Sequence, residues 1–163
     1  EKLTNPSTGL LISSFMLNGV HGDGPEGSTI WLVAHCLDLL DREFARDQYQ
    51  RARRELIRTI FGFPYSMEWP DSCPGGEDVD SGPIIPWLQV STGASGLAFL
   101  GAASFDDDEL LAGLLMSLEF GGFPMRDGDS LKYGASNQVG DAVLLYALTC
   151  GPLWNDLRRR GTP

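Results

Sequence analysis

The longest charge-free segment of the chain, residues 81 to 105, limits the possible folds more than any other feature. It follows a cluster of three acidic residues, and the next charged residue is Asp106. Its length would suit a membrane span, but its prolines, glycines and serines, together with Gln89, make it too polar for lipid. A helix without charge on any side is typical of one buried among other helices. We therefore predict a neutral core helix over residues 86–104 and no integral membrane segment.

A neutral helix followed by an amphipathic helix is also indicated earlier in the chain. An apolar run extends from Ser28 to Leu40, and the segment 42–62 then repeats apolar residues every three or four positions. These residues are Ala45, Tyr49, Ala52, Leu56 and Ile60. The opposite face is polar or charged, and Gly62 with Pro64 forms a stop signal. The pattern predicts a buried helix and then a surface helix.

The same order recurs in the second half of the chain. The neutral segment 86–104 precedes another amphipathic helix, whose start resembles a capping box formed by Asp106 and Glu109. Its apolar stripe is Leu110, Leu111, Leu114, Leu115 and Leu118. A third neutral helix is predicted over residues 136–149, in which Asp141 is the single charged residue.

This alternation predicts an all-α fold of helical hairpins with few or no strands. In a double ring of helices, the inner helices touch neighbours on every side, whereas the outer helices cover them and face water. We therefore expect residues 1–163 to form a single all-helical domain that belongs to an α/α toroid, either as the whole working unit or as a half or fragment of a larger one. A plain helical bundle is the alternative.

Net charge and the rare residue types exclude several classes of function. A formal net charge of −10 at pH 7 disfavours binding to nucleic acid, whose phosphates attract lysine and arginine. The cysteines and histidines lack the spacing of a zinc site or a disulfide framework, so we predict no metal and no cofactor. No signal peptide opens the chain and its first residue is not methionine. We expect a soluble protein of undetermined compartment whose first residue is a processed or truncated end.

The acidic cluster before the neutral segment is the first candidate site. A carboxylic acid that protonates an alkene or a hydroxyl must stay protonated near neutral pH, which requires burial or a second carboxylate nearby. Asp80, two residues beyond Asp78 and next to the neutral segment, is our candidate acid, and Glu68 is a candidate second acid or base. The alternative is that Asp78 or Asp80 caps the N-terminus of a helix over residues 83–104.

Aromatic residues lie on both sides of this cluster. Tyr65 and Trp69 precede it, and Trp87 follows it. Aromatic faces stabilise cations, which suits a reaction through a carbocation, but they also stack on sugar rings or simply form core. We name these three residues, with Asp78, as candidate substrate-binding residues.

A further polar stretch opens the last neutral helix. Here Tyr133 and Asp141 are candidate catalytic residues, and Asn137 and Gln138 are candidate substrate-binding residues. Asn137 and Asp141 are four positions apart and therefore lie on the same helix face. Polar groups on a buried helix pair either with each other or with a ligand. His21, in a glycine-rich loop, completes the candidate binding set.

Three segments carry a resemblance to a known family. In order, they are "STIWLVAHCLDLLDREFARDQYQRARREL", "DVDSGPIIPWLQVSTGASGLAFLGAASFDDDELLAGLLMSLE" and "SLKYGASNQVGDAVLLYALTCG". The pattern resembles the C-terminal half of the linalool dehydratase/isomerase family, whose members are all-helical α/α toroids. The chain is also similar to class II terpene cyclases, although their D-x-D-D motif differs from "DVDS" at its last position. The essential acid and cysteine residues of the linalool enzymes lie in their other half and have no counterpart here.

The resemblance and the candidate residues together imply a cofactor-independent lyase or isomerase. Its substrate would be a small, largely apolar, terpenoid-like alcohol or alkene that is dehydrated, hydrated or isomerised by acid–base chemistry. A carbohydrate-active toroid enzyme, either an epimerase or a glycosidase, is one alternative, because paired carboxylates also cleave glycosidic bonds. The other is a non-catalytic helical fragment that assembles with a copy of itself or with a complementary N-terminal half.

Overall fold

A computed structural model of the protein describes residues 3–76, 81–82 and 84–161. These residues contain five helices and three antiparallel hairpins of two strands each. The helices are α1 (Gly27–Leu37), α2 (Arg42–Leu56), α3 (Thr92–Ser104), α4 (Asp108–Gly121) and α5 (Gln138–Gly161). The strands are β1 (Ile57–Ile60), β2 (Phe63–Ser66), β3 (Ile84–Ile85), β4 (Val90–Ser91), β5 (Pro124–Asp127) and β6 (Ser130–Tyr133).

The prediction of an all-α toroid with few or no strands is wrong, because the fold is a mixed α/β one. The first hairpin, β1–β2, shows why. Ile60 pairs with Phe63 across a two-residue turn in which Phe61 and Gly62 have φ of 50° and 89°. Two successive positive φ values are the signature of a type I′ turn, whose twist matches that of the flanking strands. Gly62 therefore closes a hairpin, and Ile60 belongs to a strand rather than to the helical stripe.

The second hairpin, β3–β4, replaces the first part of the neutral helix predicted over 86–104. Pro86 favours an extended conformation for the residue before it, which suits strand β3. Helix α3 begins only at Thr92, where Ser91 Oγ accepts a hydrogen bond from the Ala94 N–H (3.0 Å). Ser91 is thus the N-cap of this helix, a role that the sequence analysis had assigned to an acidic residue as the alternative to catalysis.

The third hairpin, β5–β6, lies between α4 and α5, where the sequence analysis predicted no strand. Asp127 pairs with Ser130, so the turn consists of Gly128 and Asp129. Gly128 has a φ of 58°. Glycine at the first position of a two-residue hairpin loop favours the tight turn, because glycine adopts positive φ without a steric cost.

The three neutral helices lie side by side, with α3 between α1 and α5, while α2 packs on α1 and α4 packs on α3. Gly101 permits one of these contacts, because a Cβ atom there would lie 2.7 Å from the ring of Trp31. The predicted stripe of α2 is confirmed for its helical members, which are buried against this core. The buried stripe is Ala45, Tyr49, Ala52 and Leu56.

Two helix ends differ from the predictions. The N-cap of α4 is Asp107, whose carboxylate accepts a hydrogen bond from the Leu110 N–H (3.0 Å), so the predicted capping box at Asp106 is displaced by one residue. Helix α5 continues well beyond the predicted end at residue 149. Within the described ranges, no helix is both long enough and apolar enough to pass through a bilayer.

Candidate functional site: an apolar cavity beside Asp141

A cavity of about 270 Å³ lies where the first two hairpins meet helices α3, α4 and α5. Most of its wall is hydrocarbon. The main apolar contributors are Pro64, Val90, Phe99, Leu114, Leu118 and Leu144. Such a wall, with few polar groups, is the usual composition of a small-molecule site.

Most polar side chains at the cavity wall already bind the protein itself. Tyr65 Oη donates to the carbonyl oxygen of Leu88 (3.0 Å). Ser117 Oγ donates to the carbonyl oxygen of Pro64 (2.7 Å), and Ser95 Oγ accepts from the Ser66 N–H (2.9 Å). These groups hold the hairpins against the helices, so their hydroxyl protons are not available to a ligand.

Asp141 is different from these groups. It lies in the first turn of α5 and lines the cavity. Its Oδ1 atom is buried and has no hydrogen-bond partner among the described residues. An unpaired carboxylate oxygen in apolar surroundings is costly, so a buried one calls for a partner that the protein does not itself provide. A ligand hydroxyl or an exchangeable proton would meet this requirement.

Tyr133, at the end of β6, is the second titratable group on the wall. It is buried, and its Oη donates a hydrogen bond to Glu119 Oε1 (2.7 Å). Burial, followed by this hydrogen bond and the negative charge of Glu119, raises the pKa of Tyr133 to about 12. The side chain is therefore a neutral phenol at physiological pH. Because its proton points to Glu119, its oxygen lone pair is the part that can receive a hydrogen bond from a ligand.

Glu68 lies outside this cavity, at the junction of α1 and the hairpins. It is 1% exposed. Its Oε1 accepts from the N–H and the Oγ of Ser28 (3.1 and 2.6 Å), and its Oε2 accepts from Ser81 Oγ (3.0 Å) and from Ser91 Oγ. Four donors occupy both oxygens of this carboxylate, so we place Glu68 in the framework of the fold rather than in the cavity chemistry.

The remaining aromatic candidates lie in a separate groove. Trp69 and Trp87 line it together with Glu68, whereas Tyr65 lines the cavity. The β3–β4 hairpin separates the two spaces, since Ile85 faces the cavity and the neighbouring Ile84 faces the groove. The structure thus divides the aromatic residues that the sequence analysis had grouped into one site.

Other candidate residues lie away from the cavity wall. Asn137 Oδ1 accepts hydrogen bonds from the N–H groups of Val139 and Gly140 (3.0 and 2.9 Å), which makes it a cap for the start of α5. Gln138 is the first residue of that helix and is exposed. His21 is exposed and forms an isolated β-bridge with Phe15. Asp78 and Asp80 lie outside the described residues.

Sequence reasoning missed two contributors to the site. One is Glu119, which orients Tyr133 from α4. The other is Gly96 in α3, where an added Cβ atom would meet nothing within 4 Å, so that the missing side chain leaves open space at the cavity wall. Glycine inside a helix costs about 1 kcal/mol relative to alanine, and that local cost was the available signal.

The described residues indicate no metal site, and the comparisons with known proteins indicate no family. The described part of the chain contains no group of three His, Cys, Asp or Glu side chains placed to hold a metal ion. No model of a protein family matches the chain, and no curated protein matches it. The resemblance to the linalool dehydratase/isomerase family therefore stays a prediction.

Proposed function

We propose that the protein binds a small, largely apolar alcohol or alkene in the cavity and dehydrates, hydrates or isomerises it by acid–base chemistry without a cofactor. The observation that carries this proposal is the buried, unpaired Oδ1 of Asp141 in an apolar wall. The volume of about 270 Å³ is less than twice that of an engineered cavity of roughly 150 Å³ that holds benzene. A ligand of about ten non-hydrogen atoms fits this space.

Asp141 and Tyr133 have distinct roles in this proposal. In the dehydration direction, protonated Asp141 gives its proton to the substrate hydroxyl as the carbon–oxygen bond breaks and water leaves. The carboxylate then removes a proton from the adjacent carbon, which forms the alkene and restores the acid. Tyr133 orients the substrate by accepting a hydrogen bond from its hydroxyl. The aromatic faces of Phe99 and Tyr65 would stabilise the positive charge that develops on carbon.

A sugar is a poor match for this cavity. Sugar rings carry a hydroxyl on most carbons, so their sites need many polar side chains that are not already engaged. Here the serine hydroxyls and Tyr65 bind the protein itself, and the rest of the wall is mainly aliphatic. These features favour an apolar ligand over the carbohydrate alternative at this position.

A second candidate function is assembly, and the outer face of α5 favours it. Val139 is 71% exposed and Leu145 is 65% exposed. Leu148 and Leu153, further along the same helix, are also exposed. Several exposed apolar side chains on one helix are typical of an interaction surface. Light scattering coupled to size exclusion tests this candidate, since a monomer at micromolar concentration whose mass is unchanged by Leu145→Ser would contradict self-assembly.

The enzymatic proposal is tested with prenyl alcohols of about ten carbons in deuterated water, with products followed by gas chromatography and mass spectrometry. We expect deuterium incorporation or a change in hydroxyl content with the wild type. Asp141→Asn should lower turnover by about a hundredfold or more, because loss of a general acid or base typically costs that much. Asp156→Asn, which changes an α5 aspartate bound to Arg160, is the matched control. Equal turnover in both variants would refute the role of Asp141.

A further inference from the structure

The groove on the other side of the β3–β4 hairpin is a concave surface lined by two tryptophans. Its volume is about 620 Å³, within the ordinary range of roughly 300–1,000 Å³ for small-molecule sites. Trp69 and Trp87 contribute the aromatic surface, and Asp71 and Gln89 contribute a carboxylate and an amide, whereas Glu68 lines the groove with both of its oxygens already bonded. The groove thus exposes more polar surface than the cavity beside Asp141.

The side chain of Trp87 is exposed to solvent at the rim of this groove. Its side chain is 99% exposed, although an indole gains more from burial than almost any other side chain. Its φ is 73°, and Gln89, two residues later, has a φ of 53°. Bulky residues adopt this left-handed conformation only when the surrounding structure imposes it. Residues strained in this way are found mainly at active sites, ligand clamps and switch regions.

The turn that carries Trp87 is anchored. Tyr65 Oη donates a hydrogen bond to the carbonyl oxygen of Leu88 (3.0 Å), directly between the two residues with positive φ. The short strands on either side pair Ile85 with Val90. Trp87 is therefore presented on a fixed turn, so a planar ligand that stacks on it would not have to order the turn first.

The floor of the groove is also fixed. The Trp69 Nε1–H donates to the carbonyl oxygen of Gly76 (3.1 Å). Gly75 lies so close to the same indole that a Cβ atom there would overlap the ring. One face of Trp69 is thus covered by backbone, and glycine at position 75 is required for that close approach.

The polar groups of the groove indicate the charge of its ligand. Asp71 Oδ2 accepts a hydrogen bond from Arg58 Nη2 (2.7 Å), and the aspartate side chain remains largely exposed. The described lining includes two carboxylates and no lysine or arginine. An anionic ligand such as a phosphate or a nucleotide is therefore disfavoured. A neutral ligand with one flat apolar face and many hydroxyls fits better.

We propose that this groove binds a neutral saccharide, with a sugar ring stacked on Trp87 and its hydroxyls bound by Asp71 and Gln89. The C–H face of a pyranose ring matches the flat indole, while carboxylate and amide groups accept and donate hydrogen bonds to its hydroxyls. This site is separate from the cavity beside Asp141 and does not depend on the chemistry proposed there.

The experiment uses the full chain and four neutral tetrasaccharides: cellotetraose, maltotetraose, xylotetraose and chitotetraose. Binding is followed by the indole N–H resonance of Trp87, which the spectrum of Trp87→Ala identifies. We expect one or more sugars to shift this resonance in a saturable way and Trp87→Ala to weaken binding about tenfold or more. Trp87→Tyr, which keeps an aromatic face, should recover part of the affinity. The indole of Trp87 is exposed, so removing it should leave the fold intact.

Phe61→Ala is the matched control, because Phe61 is also exposed (94%) and also has a positive φ in a hairpin turn. Neither this variant nor Asp141→Asn should change sugar affinity, which keeps this test distinct from that of the enzymatic proposal. No shift with any sugar up to about 10 mM would overturn the proposal, as would equal weakening by Phe61→Ala. Binding of a proline-rich decapeptide through Trp87, with no sugar bound, would replace it with peptide recognition.

Discussion

Glu68 and Asp141 both have buried carboxylate oxygens, but the surroundings of these oxygens differ in one respect. Four hydrogen bonds from serine side chains and backbone fill both oxygens of Glu68. Asp141 keeps one buried oxygen without a partner among the described residues. The first arrangement ties α1 to α3 and to the segment around Ser81, whereas the second leaves an acceptor at the edge of an apolar cavity.

This difference distinguishes buried polar groups that hold the fold together from buried polar groups that are available to a ligand. A buried charge stabilises a fold only when its hydrogen-bonding capacity is filled, and removing its partners or the charge is then costly. A buried charge with unfilled hydrogen-bonding capacity costs stability, so its presence needs another reason. A change at Glu68 should therefore lower the free energy of unfolding, whereas a change at Asp141 should lower turnover with little effect on stability.

The largest effect on stability is expected for Glu68→Ala. The change leaves the hydroxyls of Ser28 and Ser91 buried without their acceptor, and we expect the free energy of unfolding to fall by about 3–5 kcal/mol. Urea unfolding followed by circular dichroism measures it. Glu109→Ala is the control, since Glu109 is exposed on the surface and should change stability by about 0.5 kcal/mol or less. Similar losses in the two variants would show that the hydrogen bonds of Glu68 do not hold the junction.

The next largest effect on stability is expected at Asp107. Like Glu68, it has hydrogen-bond partners on both carboxylate oxygens. Burial by itself raises the pKa of this carboxyl, but hydrogen bonds from the Leu110 N–H, Tyr49 and Arg53 together outweigh burial and lower it. The folded state thus favours the charged form, so the contribution of Asp107 to stability is complete above its ordinary pKa of 3.8 and declines as pH falls below that value.

Asp107→Asn should therefore lower the free energy of unfolding by about 1–3 kcal/mol at pH 7. The difference from the wild type should shrink as pH falls from about 5 to 2. Urea titrations at a series of pH values measure this difference. Asp108→Asn, at the adjacent exposed position, provides the control. A difference that grows on acidification would contradict the role assigned to Asp107.

The sequence predicted the helices better than their connections. Apolar spacing located α2 and its buried stripe, because a helix of that length repeats its pattern several times. The hairpins were missed because each strand has only two to four residues, too few to show a period of two. In the β1–β2 segment, Gly62 is compatible with either a helix end or a hairpin turn. The sequence analysis interpreted it as a helix end, whereas the structure has a turn at Phe61 and Gly62.

The candidate site was predicted in part for a related reason. Polar residues in a neutral segment drew attention to Tyr133 and Asp141, and the structure places both on one cavity wall with Tyr65. Glu119 and Gly96 were missed, because each contributes only through a tertiary contact: a hydrogen bond to Tyr133 and an absent side chain. Glycine inside a helix is a local signal, but the sequence does not show which helical glycine lies at a cavity or which glutamate reaches Tyr133.

A smaller effect, and one that raises stability, is expected for Gly96→Ala. The added methyl group meets nothing within 4 Å, and the gain in helix propensity should stabilise the fold by about 0.5–1 kcal/mol. The same methyl group narrows the cavity, so binding of a prenyl alcohol should weaken. Gly151→Ala in α5 is the matched control, because its Cβ position is equally open but lies away from this cavity. It should give a similar gain in stability and unchanged binding. Weaker binding in both variants, or in neither, would show that the ligand lies elsewhere.

The smallest effect on stability is expected for Asp141→Asn, which completes the comparison with Glu68. Removing the charge relieves the desolvation of Oδ1 but also removes a favourable interaction of a carboxylate with the N-terminus of α5. These contributions oppose each other, so the free energy of unfolding should change by about 1 kcal/mol or less, in either direction. Urea unfolding of Asp141→Asn and Glu68→Ala in parallel measures the contrast. A loss for Asp141→Asn as large as that for Glu68→Ala would mean that Asp141 is held by the framework as well, and the reason for assigning it to ligand chemistry would disappear.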